Sequence, residues 1–144
     1  MRACHQNRMR RPIAAILLCL SVLVGTSCAK QVRFQALPLL PGGSASVKVN
    51  LTFDRNNQLE VKLSNVPEPS SVKPEYTRYV LWAATPDRQH VSNLGQLRLD
   101  QDRNAQITTL TPLRSFVLFV TAEPAGDVMT PGPHTVFESR RIEW

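Results

Sequence analysis

From Ser46 onward the chain alternates with a period of two. In SVKVNLTFD, Val47, Val49, Leu51 and Phe53 fall on one side and Lys48, Asn50 and Thr52 on the other. That is the mark of a strand with one buried and one wet face. RNNQ reverses the chain, and LEVKLSNV repeats the alternation with Leu59, Val61 and Leu63 inward, so the two segments predict a hairpin. After the proline-rich PEPSSVKPE comes TRYVLWAA, apolar on both faces. A strand covered on both sides is central, with either Tyr79 and Leu81 or Val80 and Trp82 toward the main core. TPDRQHVSN reads as a loop, and LGQLRLD as a strand in which Gly95 signals a bulge or a close approach. QDRN turns the chain into AQITTLT. SFVLFVTAE, residues 115–123, is a second central strand; PAGDVMTPGPH is a loop, and TVFESRRIEW closes the chain.

These segments amount to seven strands at short spacing, and all ten prolines beyond residue 12 lie outside the strand interiors. No segment carries a sustained helical period. The pattern predicts an all-β fold: an immunoglobulin-like antiparallel β-sandwich of about seven strands spanning residues 46–144. Trp82, on the third strand, occupies the place where such sandwiches bury a tryptophan, although no inter-sheet disulfide accompanies it. A barrel is the alternative, because strand order does not show in the pattern.

The first residues follow a different rule. MRACHQNRMRRP holds four arginines and no acid, and an uncharged run of thirteen residues, 13–25, follows before Thr26, Ser27, Cys28 and Ala29. A basic start, a short apolar run and small residues at its end make a secretory signal peptide. A membrane-spanning helix needs about twenty apolar residues, more than this run supplies. Residues 1–27 therefore read as a signal peptide. The tail of the run, VGTSC, resembles the lipobox of bacterial lipoprotein signal peptides, in which cysteine becomes the first residue and is acylated. Gly25 stands where leucine is usual. Cleavage after Ala29, with Ser27 and Ala29 as the small pair, is the competing reading. Cysteine usage favours the lipobox. Cys4 and Cys19 lie within the signal, which leaves Cys28 as the lone thiol, an odd residue for an oxidising compartment unless it carries lipid. Residues 28–45, with Gly42 and Gly43 and two prolines, then read as a tether with one short edge strand around residues 32–36.

Charge narrows the partners. The formal net charge of +6 owes four arginines to the signal, leaving thirteen Lys and Arg against eleven Asp and Glu. The basic residues of that remainder are scattered, so a nucleic-acid partner is not expected. The expected address is exported: a membrane-anchored lipoprotein facing the periplasm or the cell surface, with the membrane as partner through its lipid.

Two blocks, YVLWAATPDR with LGQL and VLFVTAEPAGDVMTPGP, resemble the extracytoplasmic C-terminal domain of anti-sigma-K-type factors. The resemblance covers residues 77–137 and is carried by Tyr79, Leu81, Trp82, Val120, Thr121, Glu123, Pro124, Ala125, Gly126 and Pro131. It implies a β-sandwich outside the cytoplasmic membrane. Only twelve residues precede the apolar run, so the sigma-binding region of such factors is not expected here.

Candidate chemistry is sparse. Beyond the signal there are two histidines, His90 and His134, on loops expected at opposite ends of the sandwich, so no metal site is expected. DRNNQ and DQDRN lack the glycine and distal glutamate of a calcium loop, and turn chemistry accounts for both. No Gly-x-Ser-x-Gly elbow occurs, and no catalytic residue or cofactor is assigned. Glu123, leaving a buried strand before Pro124, is expected to accept backbone hydrogen bonds from the adjoining loop. The loops PEPSSVKPE, QDRN and PAGDVMTPGPH should gather at one end, with Pro124, Asp127, Met129 and His134 as the candidate partner-binding loop. The expected function is a non-catalytic interaction or structural module of the bacterial envelope, bound to an envelope protein or polymer. The alternatives are an enzyme or accessory domain acting on envelope polymer, or a sensor relative without its cytoplasmic half.

Overall fold

The computed structural model describes residues 29–37 and 42–144. Among them lie nine strands and one 3-10 turn, Pro69–Ser71. The strands are β1 (Lys30–Ala36), β2 (Ser44–Leu51), β3 (Asn57–Ser64), β4 (Arg78–Ala84), β5 (Val91–Leu97), β6 (Ala105–Thr111), β7 (Ser115–Glu123), β8 (Thr135–Ser139) and the short β9 (Ile142–Glu143). Every ladder is antiparallel. The expected signal peptide, residues 1–27, and Cys28 lie outside the described residues.

The fold is all-β. One layer has the order β1-β2-β3-β6 and the other β5-β4-β7-β8, with β9 pairing the start of β7. Lettered A to G from β2 to β8, the strands form an A-B-E sheet facing a sheet in which C, F and G are neighbours. This is the immunoglobulin-type arrangement, except that the fourth strand pairs with C rather than with E. The alternating residues do what their period requires: Val47, Val49, Leu59, Val61 and Leu63 from one layer meet Tyr79, Leu81, Leu118 and Val120 from the other. Of the two registers open to β4, the one with Tyr79 and Leu81 inward is realised. Trp82 is buried on the opposite, outer face, in a second cluster with Val80, Ala84 and Phe119.

β1 is the correction to the sequence reading. The short edge strand expected around residues 32–36 of the tether is a strand of seven residues, 30–36, and lies in the interior of the pairing rather than at an edge. Its first half pairs with β2, from Lys30 opposite Val49 to Arg33 opposite Ser46. Its second half pairs with β8, from Phe34 opposite Ser139 to Ala36 opposite Phe137. The physical reason is that β2 and β8 would otherwise leave two unpaired edges side by side, and one strand satisfies both. Val32 and Phe34, inward by the same period of two, fill the gap between the layers. Two smaller differences follow from turn positions. β5 begins at Val91, inside the expected loop. β2 ends at Leu51, so Leu51 and Phe53 project from the end of the sandwich rather than into it.

Among the described residues the hydrogen-bonded path runs from β5 through β1 to β6 without a break, so β5 and β6 are its two ends and the sandwich is nearly a closed barrel. At this open seam sits Gly95, with φ of +125°. The β4–β5 register shifts beside it, between Leu81 and Trp82. A Cβ at Gly95 would lie 2.7 Å from Ile107 Cδ1 of β6. Glycine therefore serves both the bulge and the close approach of the two edges. Gly95→Ala should cost about 1–3 kcal/mol of folding stability, chiefly through backbone strain at its positive φ, since the Ile107 terminal methyl can move aside. The check is urea denaturation of both forms, in which an unchanged midpoint would show that the seam does not need glycine.

Candidate functional site

β1 and β3 begin at one end of the sandwich, called proximal below, together with the 52–56 turn, the 112–114 loop and β9. The opposite, distal end collects the three loops singled out in the sequence. Antiparallel pairing brings them there: Arg78 at the start of β4 faces Glu123 at the end of β7, and Leu63 near the end of β3 faces Ala105 at the start of β6. The loops are fastened to each other as well. Val66 N donates to Arg103 O (3.0 Å) and Thr77 N to Glu123 O (2.9 Å). The Thr77 hydroxyl donates to Pro124 O (2.8 Å), and Arg103 Nη2 donates to Asn65 Oδ1 (2.9 Å). Left-handed backbone at Asn65 and Arg103 makes the reversals.

The loop between β7 and β8 does more than form a rim. It folds back over the outer face of β4 and β7 and covers Trp82. The indole ring stacks on Phe119 at 6.3 Å between centroids, with Val128 of the loop packed against the pair. From the proximal side the Arg88 guanidinium lies 4.8 Å from the centre of the Phe119 ring and pairs with Glu138. A polar chain runs beneath this cover. Trp82 Nε1 donates to Thr121 Oγ1 (2.8 Å), and the Thr121 hydroxyl donates to Glu123 Oε1 (2.6 Å). The same oxygen accepts from Gly132 N (2.7 Å). The loop backbone lies directly on the carboxylate, and a Cβ at Gly132 would stand 2.8 Å from Glu123 Oε2. On the other flank Asn93 Nδ2 donates to Gly126 O (3.2 Å) and Val128 O (2.9 Å). A buried carboxylate is costly unless its oxygens are bonded, and these bonds make Glu123 an anchor for the loop.

Of the four candidate loop residues, the structure turns three outward. Pro124 and Asp127 are exposed, and Met129 is 89 % exposed. His134 is half-buried, and its Nδ1 shares a hydrogen bond of 2.7 Å with the hydroxyl of buried Tyr76, which ties it into the rim. His90 lies on the 85–90 loop at the proximal end, away from His134, as the topology expectation had it. Among the described residues, no group of three or more His, Cys, Asp and Glu is placed to hold a metal ion. A shallow cleft of about 270 Å³ opens beside the rim, lined by Lys62, Ser64, Arg98, Asp100 and Gln106. In the 100–104 turn, Asp100 Oδ1 accepts from the backbone of Asp102 and Asn104, which is turn chemistry. Glu123 fulfils its expected role. Thr121, Asn93 and Tyr76 are the positions that sequence reading missed. Their signal is faint: Trp82 and Thr121 sit at outward parity on strands apolar on both faces, which requires a cover.

Comparison of the chain with family models, with curated proteins and with solved structures returns no match.

Two expectations follow. Thr121→Val removes both the acceptor for the buried indole and the donor to Glu123, and should cost about 1–3 kcal/mol. Limited proteolysis would then cut within 124–134 much faster than in the parent; equal rates would show that the loop is held by other means. The second concerns Tyr79, whose hydroxyl donates to Pro67 O (3.0 Å). Burial pushes its phenol pKa up, and the nearby Glu68 charge adds to the rise. The folded state thus favours the neutral phenol. Its contribution is fully present below the ordinary tyrosine value of about 10 and is lost as pH rises beyond it. Stability measured between about pH 9 and 11 should fall more gently in Tyr79→Phe than in the parent.

Proposed function

We propose that the protein is a non-catalytic lipoprotein of the bacterial cell envelope that holds a rigid loop rim away from its membrane for a partner. The observation that carries this reading is the polarity of the fold. The chain leading from Cys28 joins β1 at the proximal end, and Pro124, Asp127 and Met129 stand at the distal end. The lone thiol after a basic and apolar leader supports lipidation at Cys28, and the resemblance of residues 77–137 to an extracytoplasmic envelope domain supports the compartment. The rim itself suits binding. A loop tied by Glu123, Asn93 and Tyr76 loses little further backbone freedom when a partner docks, and an exposed methionine there offers an adaptable apolar contact. The partner is an envelope protein or polymer; the cleft beside the rim is open rather than a deep pocket with convergent groups.

Two measurements test the two halves of the reading. Intact mass of the membrane-extracted chain should show acylation that disappears in Cys28→Ala; a soluble product beginning at Lys30 would sink the anchor. A photo-crosslinking residue at Met129 should trap a discrete adduct in native membranes, lost when Asp127 and Pro124 are also changed to alanine. The same probe at Lys48, on the far layer, should give none; equal labelling at both places would argue against a specific rim.

A further inference from the structure

The proximal end carries an unusual group of exposed apolar side chains. Phe53 is fully exposed on the β2–β3 turn, Leu51 is 50 % exposed just before it, and Trp144 is 38 % exposed. They share one surface. Leu51 faces Asn57, whose amide donates to Leu113 O (2.7 Å), and Trp144 N donates to Arg114 O in the same loop (3.1 Å). Scattered singly such residues need no explanation; grouped at one end they mark an interaction surface. Exposed Lys30, Arg55, Arg114 and Arg141 surround them, against Asp54 and Glu143. Lys30 Nζ donates to Glu143 O (3.1 Å) and Arg141 pairs with the Glu143 carboxylate (2.6 Å), which leaves Arg55 and Arg114 as cations facing outward.

The second observation is the length of chain available. Because β1 begins at Lys30, paired from its first residue, only Ala29 separates Cys28 from the folded body. Two residues of extended chain reach about 7 Å. A lipid on Cys28 therefore cannot hold the sandwich off the bilayer; the proximal end must meet the surface. Aromatic rings at headgroup depth flanked by Arg and Lys are the chemistry of a membrane interface.

We infer that the proximal end is a lipid-contacting surface, on which Leu51, Phe53 and Trp144 enter the headgroup region of an anionic bilayer and Arg55 and Arg114 face its phosphates. The inference rests on the anchored reading for the presence of a bilayer at that end, and on the surface's own chemistry for the contact. It fixes the sandwich upright, with the rim one strand length above the membrane.

Trp82 and Trp144 are the only tryptophans, and Trp82 is fully buried, so Trp144 reports the contact. The full chain, extracted from membranes, is reconstituted into phosphatidylglycerol-containing vesicles with and without brominated acyl chains, alongside a Trp144→Phe background. The Trp144 component should fall by roughly half in brominated vesicles, as an interfacial indole would. It should recover in a Leu51→Ser, Phe53→Ser double variant whose circular dichroism is unchanged. Acylated protein whose Trp144 is unquenched overturns the inference and leaves the anchor standing. Unacylated protein whose Trp144 is quenched does the reverse. Unquenched emission together with concentration-dependent dimerisation would assign the surface to a second copy and also overturn it.

Discussion

One strand meets the hydrogen-bonding demand of two sheets. Without β1, the edges of β2 and β8 would run side by side with their amides and carbonyls unpaired, and the gap above Val47 and Phe137 would admit water. Lys30 to Arg33 complete one edge and Phe34 to Ala36 the other, while Val32 and Phe34 close the gap between layers. Unpaired backbone groups beside a core cost about as much as lost hydrogen bonds, so the strand is part of the folding unit rather than an appendage. Its direction also decides which end of the molecule receives the preceding chain. The separation of a proximal end, where the preceding chain enters, from a distal rim follows from that single pairing.

Much of this architecture is legible in the residues, and the part that is not has a clear cause. The period of two in 46–63 and 105–123 places strands and faces because each side chain answers to one layer. β1 is only half legible by the same logic: a short strand shows around residues 32–36, its interior place does not. In KQVRFQA only Val32 and Phe34 are inward, and the prolines and glycines that follow resemble a tether as well as a loop. What makes it a strand is the pair of edges waiting for it, one of them more than a hundred residues away at Glu138 and Ser139. Leu51 and Phe53 fail for the opposite reason. They continue an alternation whose strand has already ended, since period alone does not mark where a turn begins. Gly95 was legible because glycine within an apolar strand has few other uses.

The outer face of β4 and β7 explains why the distal loop lies down as a cover. Trp82 and Phe119 are too large to leave in water, and the sandwich offers no third layer. The loop between β7 and β8 and the Arg88 side chain share the task, with Thr121 and Glu123 satisfying the indole and the loop backbone beneath. A segment rich in glycine and proline would ordinarily be the loosest in the domain. Here the burial of one indole and one carboxylate fixes it in place, with Pro124, Asp127 and Met129 left exposed.

Because β1 lies between β2 and β8, a pull on the chain ahead of Ala29, resisted by a partner at the distal rim, acts along the strand axes. The hydrogen bonds of antiparallel ladders run across that direction. They would be strained in shear and all at once, rather than peeled one after another from a free edge. The strand that seals the sandwich therefore also stiffens it lengthwise, so that tension applied between its two ends would be carried without first unravelling an edge.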